Sequence, residues 1–209
     1  MIAEKLSKAR VLPVITATSA SSTVELARAL HRGGMQAVEI TLRTSAALDS
    51  IRAVAAELPE LLVAAGTVTN PAELDAAVAA GATMVVSPGS TPQLLRAARD
   101  AGVDFVPGVA TASEVMQGLD EGYSCFKLFP AVAVGGLALL KSLGGPYPDV
   151  RFCPTGGLTP ANFRDYLALP NVVCCGGSWM VAADLVDNQQ WDQIENLARD
   201  AMSPLAQGE

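Results

Sequence analysis

Short apolar runs alternate along the chain with longer, Ala- and Leu-rich amphipathic segments. Runs at residues 11–16, 37–41, 62–66, 84–87, 105–108, 125–129, 151–155 and 172–176 read as strands, and they recur every 20–26 residues. That spacing holds one strand, one helix and tight loops. Helix starts are marked by Asn70-Pro71-x-Glu73, Thr91-Pro92 and Thr159-Pro160, each a capping residue before proline at the first helical position. Ser22-x-x-Glu25 and Thr111-x-x-Glu114 read as capping boxes. Gly33-Gly34, Gly81, Gly102 and Gly122 each precede the next run by a few residues, where a left-handed residue would end a helix. Alternating strands and helices without a hairpin signal predict a parallel sheet with right-handed crossovers. Eight such units predict an α/β fold, a (β/α)8 TIM barrel, with residues 2–10 as an extra N-terminal helix and residues 1–209 as one domain. An open doubly wound sheet is the competing architecture, but no G-x-G-x-x-G follows the first run and no P-loop pattern occurs.

Composition narrows the class of partner. The 209 residues are 50% apolar, ample for a core, and 14 Lys+Arg against 21 Asp+Glu leave a formal charge of -7. This balance argues against nucleic acid or an anionic membrane as the main partner, so any bound anion must be met locally. Mean hydropathy is +0.33, yet apolar stretches are interrupted, as 128–140 is by Pro130 and Gly135-Gly136; no bilayer span is expected. The opening MIAEKLSKAR mixes both charge signs and lacks a signal-like apolar run, so a cytoplasmic location is expected. Cys125, Cys153, Cys174 and Cys175 read as buried free thiols, and without a C-x-x-C pair zinc is not expected.

Two strand runs carry charges where a barrel core should be apolar. In Ser124-Cys125-Phe126-Lys127-Leu128-Phe129-Pro130, one of the chain's four lysines shares parity with Cys125 and Phe129. If Phe126 and Leu128 pack on helices, Lys127 points inward. In Ala37-Val38-Glu39-Ile40-Thr41 the same logic sends Glu39 into that interior, with Thr41 a step above and Arg43 in the following loop. One reading is a buried ion pair that only fills space, although such pairs stabilise little. The other is a lysine nucleophile beside a carboxylic acid: a sheltered amine attacks a ketone to form an iminium, and Glu39 shuttles protons.

Further candidates lie at strand ends. Pro154-Thr155-Gly156-Gly157 and Cys175-Gly176-Gly177-Ser178 close the seventh and eighth runs, where many barrels hold phosphate on backbone N–H groups; the alternative is a pair of ordinary tight turns. Thr67, ending the third run, is either a bond donor to a substrate oxygen or a turn residue. Ser87-Pro88-Gly89 and Pro107-Gly108 read as rim turns. His31 suits a helix C-terminus, and Trp179 and Trp191 read as core or interface.

These segments together resemble a known family. Val38-Glu39-Ile40-Thr41-Leu42-Arg43-Thr44, Ala65-Gly66-Thr67-Val68, Ser87-Pro88-Gly89, Phe126-Lys127-Leu128-Phe129-Pro130-Ala131, Arg151-Phe152-Cys153-Pro154-Thr155-Gly156-Gly157 and Gly176-Gly177-Ser178-Trp179 are similar, in order, to the bacterial 2-keto-3-deoxy-6-phosphogluconate (KDPG) aldolases. The resemblance implies a class I, metal-independent and cofactor-free aldolase of the Entner-Doudoroff pathway of carbohydrate metabolism, a homotrimer that splits KDPG into pyruvate and glyceraldehyde 3-phosphate. Many members also cleave 4-hydroxy-2-oxoglutarate (KHG). It implies Lys127 as the Schiff-base lysine, Glu39 as the acid/base, Arg43 and Thr67 on the pyruvate carboxylate and Thr155 and Pro88 as further substrate contacts. Gly156, Gly157, Gly176, Gly177 and Ser178 would cradle the phosphate. Val132 stands where the family usually has Glu, which changes a rim contact and not the iminium chemistry. Rival expectations are a phosphogalactonate aldolase, a phosphosugar isomerase or epimerase using Glu39 alone, and a noncatalytic phosphometabolite binder.

Overall fold

The apolar runs supply the parallel strands, and the amphipathic segments supply helices laid over them. The computed structural model describes residues 2–203. The order is α1 (Ile2–Ala9), β1 (Val11–Ile15), α2 (Ala20–Arg32), β2 (Ala37–Thr41), α3 (Ala47–Glu57), β3 (Leu62–Gly66), α4 (Pro71–Ala79), β4 (Met84–Val86), α5 (Pro92–Ala101), β5 (Asp104–Val106), β6 (Gly108–Val109), α6 (Ala112–Asp120), β7 (Cys125–Leu128), α7 (Gly136–Gly144), β8 (Arg151–Pro154), α8 (Phe163–Leu167), β9 (Cys175–Gly177), a 3-10 turn (Trp179–Val181), α9 (Ala183–Asp187) and α10 (Trp191–Met202). No helix among the described residues is long and apolar enough to cross a membrane.

The strands form a curled parallel sheet in two ladders, β5-β4-β3-β2-β1-β9 and β6-β7-β8. The fifth run, expected as one strand, is divided at Pro107, so that β5 pairs with β4 and β6 with β7. Proline donates nothing to a ladder, but its carbonyl still accepts from the Lys127 N–H at 2.9 Å. At the other junction, single bridges join Phe152 to Val172 and Thr155 to Gly176. The eighth run, expected at 172–176, changes partner as it proceeds. Val173 donates to Phe152 and Cys175 to Arg10, so the regular ladder begins only at Cys175, against β1.

Period-two alternation sorts the side chains into two clusters. Val38, Ile40, Val63, Ala65, Phe126, Leu128 and Phe152 face the helices. Ala37, Ala64, Met84, Val106, Cys125, Cys153 and Cys174 face inward, where Leu6 and Ala9 of α1 pack against them. The N-terminal helix thus covers the end of the interior at which the strands begin.

Most helix signals hold, with two corrections. Asn70, Thr91 and Thr111 cap α4, α5 and α6, the last as a full capping box, and Gly34, Gly81, Gly102 and Gly122 all have positive φ. The cap of α2 is Ser19, not Ser22: Ser22 donates its N–H to the Ser19 hydroxyl, while Glu25 turns outward to Arg28. Thr159-Pro160 opens a turn closed by Asn162, whose side chain accepts from the Thr159 N–H at 2.8 Å, and α8 starts only at Phe163. His31 sits in the last turn of α2, 3.1 Å from the Met35 carbonyl oxygen, and Trp179 packs on Phe163 at 5.1 Å.

All four thiols are buried and free. Burial pushes Cys125 from 9.0 up to about 12, and Cys174, hydrogen bonded to Cys153 and buried, is raised as well. An unfolded chain therefore loses thiol protons above about pH 9 that the folded chain retains. The stabilising contribution is complete below that pH and is lost as the pH rises toward 12, by about 1.4 kcal/mol per pH unit for each such thiol. Urea midpoints should fall from pH 9 upward, and a disulfide reagent should label four cysteines quickly in urea and none in the native protein. Rapid native labelling would contradict this burial.

Candidate active site

Alternation on β2 and β7 delivers one acid and one amine to the same interior point. Lys127 Nζ donates to Glu39 Oε1 at 2.9 Å, with Lys127 5% exposed and Glu39 0%. β2 belongs to the larger ladder and β7 to the smaller, so this contact spans the interior. Lys127 is in register with Gly108 and Cys153, and Glu39 with Val14 and Ala64. Apart from each other, then, the pair has small or apolar strand neighbours.

The mutual attraction of an acid and an amine this far from water does little more than offset their desolvation cost, so stability alone does not account for the pair. Glu39 Oε2 is also buried and has no hydrogen-bond partner among the described residues. Buried acceptors are ordinarily satisfied, and an unsatisfied one beside an amine is a place where a ligand's proton can be received. The Phe129 ring lies 5.4 Å from Nζ. Shared parity with Lys127 is the sequence signal that places Phe129 beside the amine, although residue type alone gives it no chemical role. Thr41, also inward, spends its hydroxyl on the Ile15 carbonyl at 2.9 Å.

The other candidates lie at or just beyond the C-terminal ends of parallel strands, and so share one end of the sheet. Arg43 is exposed in the turn after β2, its N–H bonded to Thr41 O. Thr67 directly follows β3 and holds φ 60. A β-branched residue in the left-handed region costs about 1–3 kcal/mol, and such strain clusters at ligand sites. Half-buried Pro88 follows β4 and sits so near Gly108 that a Cβ there would lie 2.5 Å from the Gly89 nitrogen.

The two glycine motifs differ. Gly156 and Gly157 follow β8 with φ 101 and 81, a backbone that a side chain would strain. Gly176 and Gly177 lie inside β9, paired with Leu12 and Pro13, rather than in a loop beyond the strand. Their missing side chains make room for neighbours: a Cβ at Gly176 would lie 2.9 Å from Thr155 Cγ2, and one at Gly177 would lie 2.8 Å from Trp179 Cη2. Thr155 is buried and Ser178 exposed just past β9. Val132, 47% exposed, donates its N–H to Gly156 O and lies against Gly157. No group of three or more His, Cys, Asp or Glu that could hold a metal occurs among the described residues.

Known proteins are similar to this chain over nearly its whole length. The family profile described as Aldolase: KDPG and KHG aldolase matches residues 2–197. An Escherichia coli K12 protein named KHG/KDPG aldolase is 49% identical over 197 residues, covering 94% of this chain and 92% of its own. The solved structure of KDPG aldolase from Legionella pneumophila, with pyruvate captured at low pH as a covalent carbinolamine intermediate, is 41% identical with a TM-score of 0.95, covering 97% of this chain and 98% of its own. That of Zymomonas mobilis ZM4 with 3-phosphoglycerate is 42% identical with a TM-score of 0.92, covering 97% and 95%. A lysine and a glutamate meeting in the interior of such a sheet, in a chain this similar throughout, place the protein in the KDPG and KHG aldolase family.

Proposed function

We propose that the protein is a class I aldolase that cleaves KDPG to pyruvate and glyceraldehyde 3-phosphate and also acts on 4-hydroxy-2-oxoglutarate. The observation that carries this reading is the buried 2.9 Å contact of Lys127 with Glu39. The same reading takes residues 1–209 as one domain, closes the two ladders into a (β/α)8 barrel, and makes the enzyme a cytoplasmic homotrimer that needs neither metal nor cofactor.

The amine first passes its proton to Glu39 and attacks the substrate C2 ketone, giving a carbinolamine. The carbinolamine captured with pyruvate in the Legionella pneumophila relative supports this step. Glu39 returns a proton to the departing hydroxyl, water leaves, and an iminium remains on Lys127. Loss of the C4 hydroxyl proton to Glu39, directly or through water, drives the C3–C4 bonding pair into the iminium and releases the aldehyde. The resulting enamine takes a proton at C3, and hydrolysis frees pyruvate and the lysine. Arg43 and Thr67 hold the carboxylate so that C2 faces Nζ, a gain in orientation and not in intrinsic reactivity. Thr155 and Pro88 line the substrate. Gly156, Gly157, Gly176, Gly177 and Ser178 receive the phosphate on backbone donors, which suits a chain of net charge -7; bound 3-phosphoglycerate in the Zymomonas mobilis structure supports a phosphate subsite.

Borohydride added with pyruvate should reduce the imine to a stable adduct on Lys127, located by peptide mass. Turnover without any adduct would reject the covalent route. In a coupled assay for pyruvate, KDPG cleavage should be unchanged by a chelator, and KDPG should be cleaved faster than its C4 epimer. The reverse order would make the enzyme the galactonate-type aldolase.

A further inference from the structure

Glycines differ in what occupies the space a side chain would need. At Gly108 it is backbone of Pro88 and Gly89, and at Gly118 on α6 it is the Phe126 ring. Gly66, the last residue of β3, is the described glycine whose space is taken by the carboxyl arm of Glu39. A Cβ at position 66 would lie 2.6 Å from Glu39 Cγ and 2.8 Å from Cδ, and closer still to Oε1, the oxygen that receives the Lys127 bond. No real Cβ tolerates such contacts. Gly66 is in register with Thr41, two residues beyond Glu39 on the neighbouring strand, and shares inward parity with Ala64. The glutamate therefore leans across the end of β3 and occupies the place of the absent side chain.

We infer that Gly66 is a positioning residue for the cleavage reaction: it holds open the volume in which the Glu39 carboxyl reaches Lys127. This rests on the aldolase reading above. Because the obstacle is the Glu39 side chain from Cγ to Oε1 and not backbone, a methyl group at 66 displaces Glu39 from Lys127 and leaves the strand in place. The fold loses no more than the separation of the buried pair costs, whereas the reaction loses its proton carrier.

Gly66→Ala should lower the thermal midpoint no further than Glu39→Ala does, lower kcat for KDPG by about 100-fold, and change KM by no more than a few-fold, matching loss of one acid/base group. Introduced into Glu39→Gln, the same change should cost almost nothing further, because its effect is exerted through the carboxyl already removed. A further 100-fold loss in that background, or full activity of Gly66→Ala, would overturn the positioning role. If Gly66→Ala does not fold, Glu39→Ala/Gly66→Ala should be as stable as Glu39→Ala alone, since the obstacle is gone; a clearly lower stability of that pair also overturns it. Absence of a Lys127 adduct in the parent enzyme would instead overturn the aldolase reading.

Discussion

Lys127→Arg is expected to lower KDPG cleavage by about 10⁴-fold or more and to abolish the borohydride adduct with pyruvate. The substitution keeps a positive charge opposite Glu39, so the electrostatic part of the 2.9 Å contact survives. What disappears is the capacity to become a neutral nucleophile, since a guanidinium does not deprotonate in proteins. The larger head group in a site only 5% exposed costs about 1–3 kcal/mol through overpacking, a loss that a melting curve reads independently of turnover. Lys127→Met tests the complementary point. It leaves Glu39 fully buried without its cation, which costs about 3–5 kcal/mol unless the carboxyl takes up a proton. Activity near that of the parent in the arginine variant would return the pair to a purely structural role.

Glu39→Gln should reduce kcat by about 10²–10⁴-fold while leaving a slow adduct with pyruvate. The amide keeps the shape of the acid and can still accept from Lys127, but it cannot carry a proton between the ketone oxygen, the C4 hydroxyl and C3. Nucleophile and proton carrier are thus separable by one measurement: the arginine variant forms no adduct, whereas the glutamine variant forms it slowly and turns it over poorly. An unchanged kcat in Glu39→Gln would transfer the proton work to another group.

The buried interior pair was legible in the amino-acid sequence because each member interrupts an apolar run, and parity alone then assigns Lys127 and Glu39 to one side. The cysteines and the α4, α5 and α6 caps were legible for similar local reasons. Elsewhere the signal was weak or misleading. Cys174-Cys175-Gly176-Gly177 has no alternation, so the start of β9 depends on which neighbour it meets. The serine-rich stretch before α2 offers several capping residues, and only tertiary placement selects Ser19. A proline within the fifth run reads as a strand end but in fact marks a change of partner. Gly66 looked like any strand terminus, because what makes it necessary is a side chain from the adjacent strand. The left-handed backbone of Thr67 has no local cause in residue type, and it is visible only once folded.

The sorting of β2 and β7 into two faces has a practical outcome. Val38, Ile40, Phe126 and Leu128 can be exchanged for other bulky hydrocarbons to raise or lower heat tolerance without a single atom of Lys127 or Glu39 being replaced. Mutational drift on those positions and selection on their immediate neighbours therefore act on separate traits, although the residues alternate one by one along the same few ångströms of chain.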